Sequence, residues 1–550
     1  MFQLSHFKGG LVLDGHKKIS TSSAIKPAIL PARLTVPLQQ HIGHTPELLV
    51  QLGDQVLKGQ CIAKATDGIS ASIHAPSSGR VSAIDEQAVA HPSGLKALCV
   101  TIETDGKEQW CEPSALKQNY RDSSNQQLLN IISDAGIVGL GGATFPTAIK
   151  LQSCEPATIN TLIINGAECE PYISCDDMLM RERAKDIVLG IQILQQVLAA
   201  KQTVIVVEDN KPQAIQSLQQ ALQKQAIDNI DVITIPTRYP TGGEKQLIKV
   251  VTGKEVPANG LPADIGILCQ NVATAYSVYR AVYLDQPLIS RIVTVTGDAI
   301  NEPANFEVLI GTPMNELIAQ AGGYTANIGG LVMGGPMMGF SLPNDTLPVT
   351  KACNCLLTRV TEDTRQIPAQ ACIRCGECAE VCPANLLPQQ LYWYSSSKNF
   401  DRAQDLHLFD CIECGCCSAV CPSHIPLVQY YRFAKTEIWA QEKERKKSDN
   451  ARQRHEFREA RIAREKAERD EKLRLKKELL AKKKIEEEGQ QAAVDPKKAV
   501  IEAALARVKA KKDNTTEKPK NTDNLTPQQQ QKIAEADQRR QQKDNKDEAT

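Results

Sequence analysis

Two cysteine runs of equal spacing lie in residues 372–422: Cys372-Ile-Arg-Cys375-Gly-Glu-Cys378-Ala-Glu-Val-Cys382-Pro383 and Cys411-Ile-Glu-Cys414-Gly-Cys-Cys417-Ser-Ala-Val-Cys421-Pro422. In each run, two residues separate the first three cysteines, three residues precede the fourth, and a proline follows it. Cysteines in C-x-x-C spacing, in a chain without a secretory signal, indicate metal ligation in a reducing compartment. This stretch therefore predicts a metal-binding domain.

The spacing of both runs resembles that of bacterial ferredoxins with two [4Fe–4S] clusters. In such proteins three cysteines of a run bind one cluster, and the fourth binds the cluster of the other run. The sequence thus predicts one cluster held by Cys372, Cys375, Cys378 and Cys421, and a second held by Cys411, Cys414, Cys417 and Cys382. Zinc is the disfavoured alternative, because zinc sites usually pair two C-x-x-C knuckles across a longer spacer. Cys416 lies outside this spacing and is expected to be a buried small hydrophobe. Cys353 and Cys355 form a C-x-C without a matching run, and core packing or an incidental thiol is expected for them.

Length, charge and hydropathy limit the class of protein. The chain has 550 residues, which predicts several domains, and Lys plus Arg equals Asp plus Glu at 64 each, which argues against a nucleic-acid binder. The N-terminus lacks a charged region followed by an apolar one, and no segment approaches the roughly 18 consecutive apolar residues of a membrane span. We expect a protein of the cytosol, or one that lies on a membrane from the cytosolic side.

A glycine-rich loop, Gly139-Leu-Gly141-Gly142-Ala-Thr-Phe-Pro146, precedes a helix that is expected to start at Pro146. Backbone amides without a neighbouring Cβ suit a phosphate at such a point. The dinucleotide fingerprint G-x-G-x-x-G does not match, and the loop follows a predicted helix at 126–134 where that fingerprint needs a strand. By itself, the loop fits a nucleotide site and a structural turn equally well.

Three apolar strands are predicted downstream of the loop, at 162–164, 204–207 and 232–235, and a helix is expected to start at Pro212. Carboxylates, amides and glycines follow the strands, in segments 165–171, 208–210 and 239–245. Open α/β sheets bind ligands at the carboxyl ends of their strands. These three segments therefore predict a binding crevice.

The glycine loop and the strand ends together resemble a known family. Residues 139–150, 165–171, 239–244 and 271–274 are similar, in the same order, to cofactor-contacting segments of the NADH-oxidising flavoprotein subunit of respiratory complex I. Residues 1–435 as a whole resemble the RnfC family more closely. This family, called RsxC in some bacteria, is the NADH-binding subunit of ion-translocating Rnf electron-transport complexes. The resemblance implies bound, non-covalent FMN, with NADH as substrate.

The resemblance also implies roles for single residues. Gly139, Gly141, Gly142 and Lys150 would hold the phosphate and ribityl chain of FMN. Polar contacts to FMN would come from Asn165, Glu168, Asn271 and Thr274, and further cofactor contacts from Ala143, Gly242 and Gly243. Phe145 would stack on the dinucleotide, and Glu170, Tyr239 and Glu244 would line the NADH side. Leu140, Thr144 and Ala167 replace the Arg, Gly and Asp of the complex I pattern, and covalent flavin attachment near Thr144 is disfavoured.

A multidomain α/β and α+β fold is expected, with five segments. They are an N-terminal segment with a barrel-sandwich (lipoyl-like) domain at 1–120, a complex I flavoprotein-like FMN/NADH domain at 121–287, a β-grasp domain at 288–345, a linker with the two-cluster ferredoxin domain at 346–435, and a charged helical and disordered tail at 436–550. The first domain resembles lipoyl and biotinyl carriers through its Gly53-Asp54 and Ser78-Gly79 turns. Its Lys64 lacks the usual Met-Lys context, so a structural or docking role is favoured over a carrier.

The tail is dominated by charge. Residues 441–490 contain 18 Lys or Arg and 13 Asp or Glu, a net charge of 18 − 13 = +5. This pattern predicts a solvated helix, and Asp495-Pro496 is expected to start a second one that runs to Lys512. Residues 521–550 are expected to be disordered. Contact with anionic lipid or a partner subunit is the alternative for the tail.

The function expected is that of a peripheral subunit on the cytoplasmic face of the bacterial inner membrane. A hydride would pass from NADH to FMN, and single electrons would then pass through two clusters to membrane subunits of an Rnf complex, with ferredoxin as the partner in reverse flow. No acid–base residue is expected, since the cofactor carries the chemistry. The rivals are a stand-alone soluble diaphorase, an electron relay with a degenerate flavin site, and a donor to a redox-sensing regulator.

Overall fold

The computed structural model describes residues 4–112, 120–154, 158–325, 328–361, 368–488, 500–501 and 503–507. The described residues up to Lys443 form one compact unit, and the described residues from Glu444 onward belong to a second one. Within the described ranges, no helix combines the length and the apolarity that crossing a bilayer requires.

The N-terminal region folds into two antiparallel sheets that share one apolar core. Its strands are β1 (Lys26–Pro27), β2 (Arg33–Pro37), β3 (Glu47–Leu48), β4 (Gln55–Val56), β5 (Cys61–Lys64), β6 (Ile73–His74), β7 (Gly79–Ala88) and β8 (Lys96–Thr104). One sheet has the order β2-β8-β7-β4, and the other β3-β5-β6. Gly53 takes φ +94° at the predicted Gly-Asp turn, a conformation that disfavours a side chain.

The next domain is an open α/β sheet, as predicted. Its elements are α1 (Asn125–Asp134), α2 (Thr147–Gln152), β9 (Thr161–Gly166), α3 (Cys175–Glu182), α4 (Ala184–Leu198), β10 (Gln202–Glu208), α5 (Pro212–Lys224), β11 (Ile230–Ile235), α6 (Glu244–Thr252), β12 (Ile267–Asn271) and α7 (Val272–Leu284). The strands are parallel, in the order β11-β10-β9-β12. The predicted strands lie inside β9, β10 and β11. Because these strands are parallel, their carboxyl ends share one edge.

A mixed sheet of the order β1-β14-β13-β17-β15-β16 follows. Its elements are β13 (Ser290–Gly297), β14 (Ala304–Leu309), α8 (Met314–Gln320), β15 (Ile328–Met333), β16 (Phe340–Ser341) and β17 (Cys355–Val360). The N-terminal β1 pairs in parallel with β14, so the first region also contributes to this sheet. Cys353 and Cys355 are both 0% exposed, which agrees with the core packing expected for them.

Short helices surround the cysteine runs. They are α9 (Glu377–Glu380), α10 (Pro388–Ser396), α11 (Phe400–Asp405) and α12 (Cys416–Ala419), followed by α13 (Leu427–Glu488). The described side chains of 451–485 are exposed on α13, so the helix predicted for this part is confirmed, while contact of this helix with lipid or a partner subunit stays the alternative. Residues 500–501 and 503–507 are helical, while the rest of the second predicted helix and residues 521–550 lie outside the described residues.

Candidate functional site

The glycine loop closes between α1 and α2. A bridge joins Val138 to Pro146, and the amide of Gly139 donates to the carbonyl oxygen of Phe145 at 2.8 Å. The tip, residues 141–143, is exposed. Gly142 takes φ +133°, and no heavy atom lies within 4 Å of the point where a Cβ would stand. The loop therefore presents bare backbone to an open space.

The sheet edge anchors this loop. The amide of Leu140 donates to Oγ1 of Thr274, a fully buried residue of α7, at 3.0 Å. A Cβ on Gly141 would lie 3.2 Å from Cβ of Asn271, the residue that ends β12 and caps α7. The loop and the carboxyl end of β12 thus lie side by side, and a larger residue than glycine would crowd the space between them.

Lys150 lies on α2, the helix that follows the loop. Its Nζ donates to Oε1 of Glu244 at 2.7 Å and to the carbonyl oxygen of Cys269 at 2.8 Å. The two side chains are 29% and 40% exposed, so both remain open to solvent. A lysine beside an exposed glycine loop fits an anionic phosphate.

Amide and glycine residues join the ends of β9 and β11. Nδ2 of Asn165 donates to the carbonyl oxygen of Gly242 at 2.8 Å, and its Oδ1 accepts from the amide of Ala167 at 3.1 Å. Gly243 is the N-cap residue of α6, which begins at Glu244. These residues were predicted as cofactor contacts, and the structure brings them to one sheet edge.

The carboxylate of Glu168 lies against the start of α3 and does not face the open crevice that was expected around it. Its carboxylate, 5% exposed, accepts from the amides of Asp176 and Asp177 at the start of α3, at 2.7 and 3.2 Å. Nζ of Lys17 lies 3.9 Å away and donates to the carbonyl oxygens of Glu168 and Glu170 at 2.8 and 2.9 Å. Burial raises the pKa of Glu168 to about 7. The carboxylate therefore stabilises the turn before α3.

Glu208 is also withdrawn from the predicted crevice. It is 0% exposed and forms an ion pair with the equally buried Lys211 at 2.7 Å. The carboxylate of Glu208 therefore does not line an open crevice, whereas Asp209 and Asn210 of the same segment are exposed.

Glu170 and Tyr239 are bonded to segments outside this α/β domain, Glu170 to the turn between β15 and β16 and Tyr239 to the cysteine domain. Oε1 of Glu170 accepts from the amides of Met337 and Met338, at 2.7 and 3.0 Å, and burial raises the pKa of this carboxyl. Tyr239 is 2% exposed, and its hydroxyl donates to the carbonyl oxygen of Cys414 at 2.5 Å. Phe145, in contrast, is half-buried beside the glycine loop. The residues predicted for the NADH side thus do not share one open surface.

The eight predicted cysteine ligands line two cavities in the sets that the spacing indicated. One cavity, called the outer cavity here, is lined by Cys372, Cys375, Cys378 and Cys421. The other, called the inner cavity, is lined by Cys382, Cys411, Cys414 and Cys417, with the fully buried Cys416 beside them. Four thiols around each cavity fit a [4Fe–4S] cluster. The assignment of single ligands stays a prediction.

Family models match most of the chain. They are the RnfC Barrel sandwich hybrid domain at residues 5–107, the Nuo51 FMN-binding domain at 132–280, the SLBB domain at 292–341 and the 4Fe-4S dicluster domain at 371–425. The predicted fold class is therefore confirmed, as are FMN and [4Fe–4S] clusters as the cofactors of these domains.

Curated relatives agree with these matches. The C subunit of the ion-translocating oxidoreductase complex of Yersinia pestis is 46% identical over 513 residues, which cover 92% of this chain and 79% of that protein. The chain belongs to the RnfC family of ion-translocating oxidoreductase complexes. Family members from Pseudomonas aeruginosa and Vibrio cholerae are 49% and 47% identical over 93% of this chain. The chain spans only 66% and 65% of the length of these two relatives.

Among solved structures, an NAD⁺-reducing [NiFe]-hydrogenase in its H₂-reduced state is similar at 17% identity, with a TM-score of 0.43. The similar region covers 60% of this chain and 63% of that chain.

Two residues of this RnfC-family site were missed by sequence reasoning. Lys17 is far from the glycine loop in sequence, and nothing around it signals a role. Cys169 accepts from the amide of Gly242 at 3.3 Å, and burial raises the pKa of its thiol to about 12. Its position within segment 165–171 was the only available signal for Cys169.

Proposed function

We propose that this chain oxidises NADH at its FMN-binding domain and delivers single electrons through the two cysteine cavities to another subunit of an ion-translocating complex. The observation that carries this proposal is that the exposed glycine loop and both cavities belong to one compact unit, in which Tyr239 of the FMN-binding domain is hydrogen-bonded to Cys414. When bound, FMN exchanges electron pairs with a nicotinamide and single electrons with iron–sulfur clusters.

The residues of the FMN-binding domain supply position and charge. The exposed backbone of 141–143 and Lys150 would hold the phosphate, and Asn271 and Thr274 keep the loop at the sheet edge. Lys150 is already paired with Glu244, so phosphate and carboxylate would compete for, or share, one ammonium group. Phe145 and Glu244 remain the two predicted NADH-side residues that lie near the open loop.

The two cavities differ in their surroundings in a way that suits a relay. Cys414 and Cys417 of the inner cavity are 7% and 8% exposed, whereas Cys375 of the outer cavity is exposed. The inner cavity therefore faces the FMN-binding domain, and the outer cavity would face the acceptor. As part of the proposal, the acceptor is a membrane subunit, and the chain lies peripherally on the cytoplasmic face of the inner membrane. Ferredoxin would be the partner when the flow is reversed.

Anaerobic reconstitution of the full chain with iron, sulfide and FMN, followed by NADH titration monitored by EPR, tests the proposal. We expect about eight irons per chain and two interacting cluster signals that NADH reduces. About four irons would overturn the cluster assignment. Full iron and FMN without any reduction by NADH would overturn the NADH activity and favour the relay with a degenerate flavin site.

A second measurement separates membrane attachment from a stand-alone diaphorase. The chain is produced with the other subunits of its complex, and membranes are washed at low and high salt. Retention on the membrane, lost when those subunits are absent, is the expected result. Recovery of all NADH-oxidising activity in the soluble fraction under both conditions would favour the diaphorase.

A further inference from the structure

Tyr239 connects the FMN-binding domain to the inner cavity. It follows β11, it is 2% exposed, and its hydroxyl donates to the carbonyl oxygen of Cys414 at 2.5 Å. Tyr239, Cys414 and Cys416 form a small apolar cluster, to which Cys169 and Met337 also contribute. A buried hydroxyl bound to a ligand loop in this way holds the loop in place, because breaking the bond would leave a buried carbonyl without its partner.

Glu170 makes the second link to the same loop. Its carboxylate accepts from the amides of Met337 and Met338, in the turn between β15 and β16. The carbonyl oxygen of Met337, in the same turn, lies close to Gly415. A Cβ added to Gly415 would lie 2.8 Å from that oxygen. Gly415 follows Cys414 directly. The turn between β15 and β16, called the β-grasp turn here, therefore lies between Glu170 and the inner cavity.

The N-terminal segment makes the third link. Leu11 and Tyr239 exchange two backbone hydrogen bonds, at 2.7 and 2.8 Å. The amide of Gly10 donates to the carbonyl oxygen of Val381 at 2.9 Å, and Val381 precedes Cys382, another inner-cavity thiol. Tyr239 is therefore tied to both sides of the inner cavity, to one directly and to the other through residues 10–11.

We propose that Tyr239 and Glu170 are positioning residues that hold the inner cavity against the FMN-binding domain, and that they do not contact NADH. The proposal rests on the proposed function, and it departs from the roles that resemblance to complex I implies. The structure supports it because the hydroxyl of Tyr239 and Oε1 of Glu170 are bonded to backbone groups outside the FMN-binding domain. The role concerns the separation and orientation of the two sites, so its loss should slow electron arrival at iron without weakening NADH binding.

The test compares Tyr239→Phe with Tyr431→Phe as a matched control. Tyr431 is 1% exposed, also lines the inner cavity, and donates to the carbonyl oxygen of Pro388 at 2.7 Å, within the cysteine domain. Hydrogen exchange of the amides of 411–416 is measured in the reconstituted protein without NADH. In the reconstituted protein, anaerobic stopped-flow absorbance at increasing NADH concentrations gives the apparent Kd of NADH, from the saturation of the flavin-reduction rate, and the rate of iron reduction.

For Tyr239→Phe we expect about fivefold faster exchange at 411–416, as the loss of one hydrogen bond implies, together with slower iron reduction and an unchanged Kd of NADH. Tyr431→Phe should leave exchange at 411–416 and the Kd of NADH at wild-type values. Glu170→Gln, which keeps an oxygen acceptor, should change exchange in the same direction as Tyr239→Phe but by less. A Kd of NADH raised tenfold or more by Tyr239→Phe, with unchanged exchange, would overturn the proposal and restore the NADH-side role.

Failure of the proposed function would look different. In that case the wild-type chain itself would neither bind NADH nor show iron reduction by NADH. The exchange measurement needs no NADH, so it would still decide whether Tyr239 and Glu170 hold the 411–416 loop. Unchanged exchange in both variants would then reject the positioning role by itself.

Discussion

The outer and inner cavities have the same local structure and different surroundings. Arg374 and Glu413 occupy equivalent places in the two runs, with φ of +59° and +58°, and the glycines two residues later have φ of +90° and +81°. Beyond this loop the likeness ends. Glu413 accepts from Arg432 and Lys435 of α13, each at 2.8 Å, whereas Arg374 lies over the ring of Trp393 at 5.3 Å beside the 69% exposed Ile373.

The difference shows that spacing decides what a cysteine run can bind, while its neighbours decide what the bound group does. Cluster potentials depend on hydrogen bonds and solvent exposure around the sulfurs. The inner cavity, covered by Tyr239 and the β-grasp turn, and the outer cavity, with its exposed Cys375, should therefore hold clusters of different potential. A redox titration that resolves two separate midpoints would agree with this.

The largest effect is expected from removing single cysteine ligands. Cys421→Ser should remove the same EPR signal as Cys375→Ser, and Cys382→Ser the same signal as Cys414→Ser, each with a loss of about four irons. The reason is that the fourth cysteine of each run lies at the other run's cavity. Cys416→Ser is the control and should keep both signals. Matching spectra for Cys421→Ser and Cys414→Ser would refute the cross-ligation.

The next effect tests the order of the two cavities. In Cys414→Ser, NADH should fail to reduce the outer site, although dithionite still reduces it. In Cys375→Ser, NADH should reduce the inner site as in wild type, while transfer to the membrane subunits is lost. The asymmetry follows from the contact of Tyr239 with Cys414. Freeze-quench EPR after mixing with NADH is the measurement, and the reverse pattern would exchange the inner and outer roles.

A moderate effect is expected at the flavin loop, away from both cavities. Lys150→Met should weaken FMN binding about ten- to a hundredfold, because a charge-assisted bond to phosphate is lost. Iron content should stay at the wild-type level, since Lys150 contacts neither cavity. Lys249→Met, which removes the ion pair of Lys249 on α6 with Glu255, is the control and should bind FMN normally. Fluorescence titration of the apoprotein with FMN measures both, and equal affinities would remove Lys150 from the site.

The smallest effect is expected on protein stability, from substitutions at the two equivalent loop positions, Glu413 and Arg374. Glu413→Gln should lower the stability of the reconstituted protein by about 1 kcal/mol, since it weakens two charge-assisted bonds to α13 whose groups are only partly exposed. Arg374→Gln should change stability less, because the exposed side chain of Arg374 lies over the ring of Trp393. Thermal unfolding under anaerobic conditions compares them. A larger loss from Arg374→Gln would show that the outer loop is also held by packing.

Local patterns in the sequence predicted much of this fold. Strands β9, β10 and β11 follow from short apolar runs, and the start of α5 follows from Pro212. Gly141 and Asn271 lie together as the resemblance suggested, since both belong to segments at one sheet edge. Glu168 and Glu208 were harder, because a carboxylate after a strand has the same sequence signal whether it faces a ligand or a buried lysine. Glu168 lies beside Lys17, and Glu208 is paired with Lys211. Only the folded chain brings Lys17 close to Glu168.

By itself, the sequence determined the cysteine spacing, the glycine loop and the parallel strands, because each depends on residues close together in the chain. Only the tertiary structure decided which carboxylates are buried, which cysteine cavity lies against the FMN-binding domain, and that Tyr239 bonds to Cys414. Those features join residues that are far apart in sequence, so no local pattern encodes them. The physical reason is that burial and hydrogen-bond partners belong to packed neighbours, which folding selects from the whole chain.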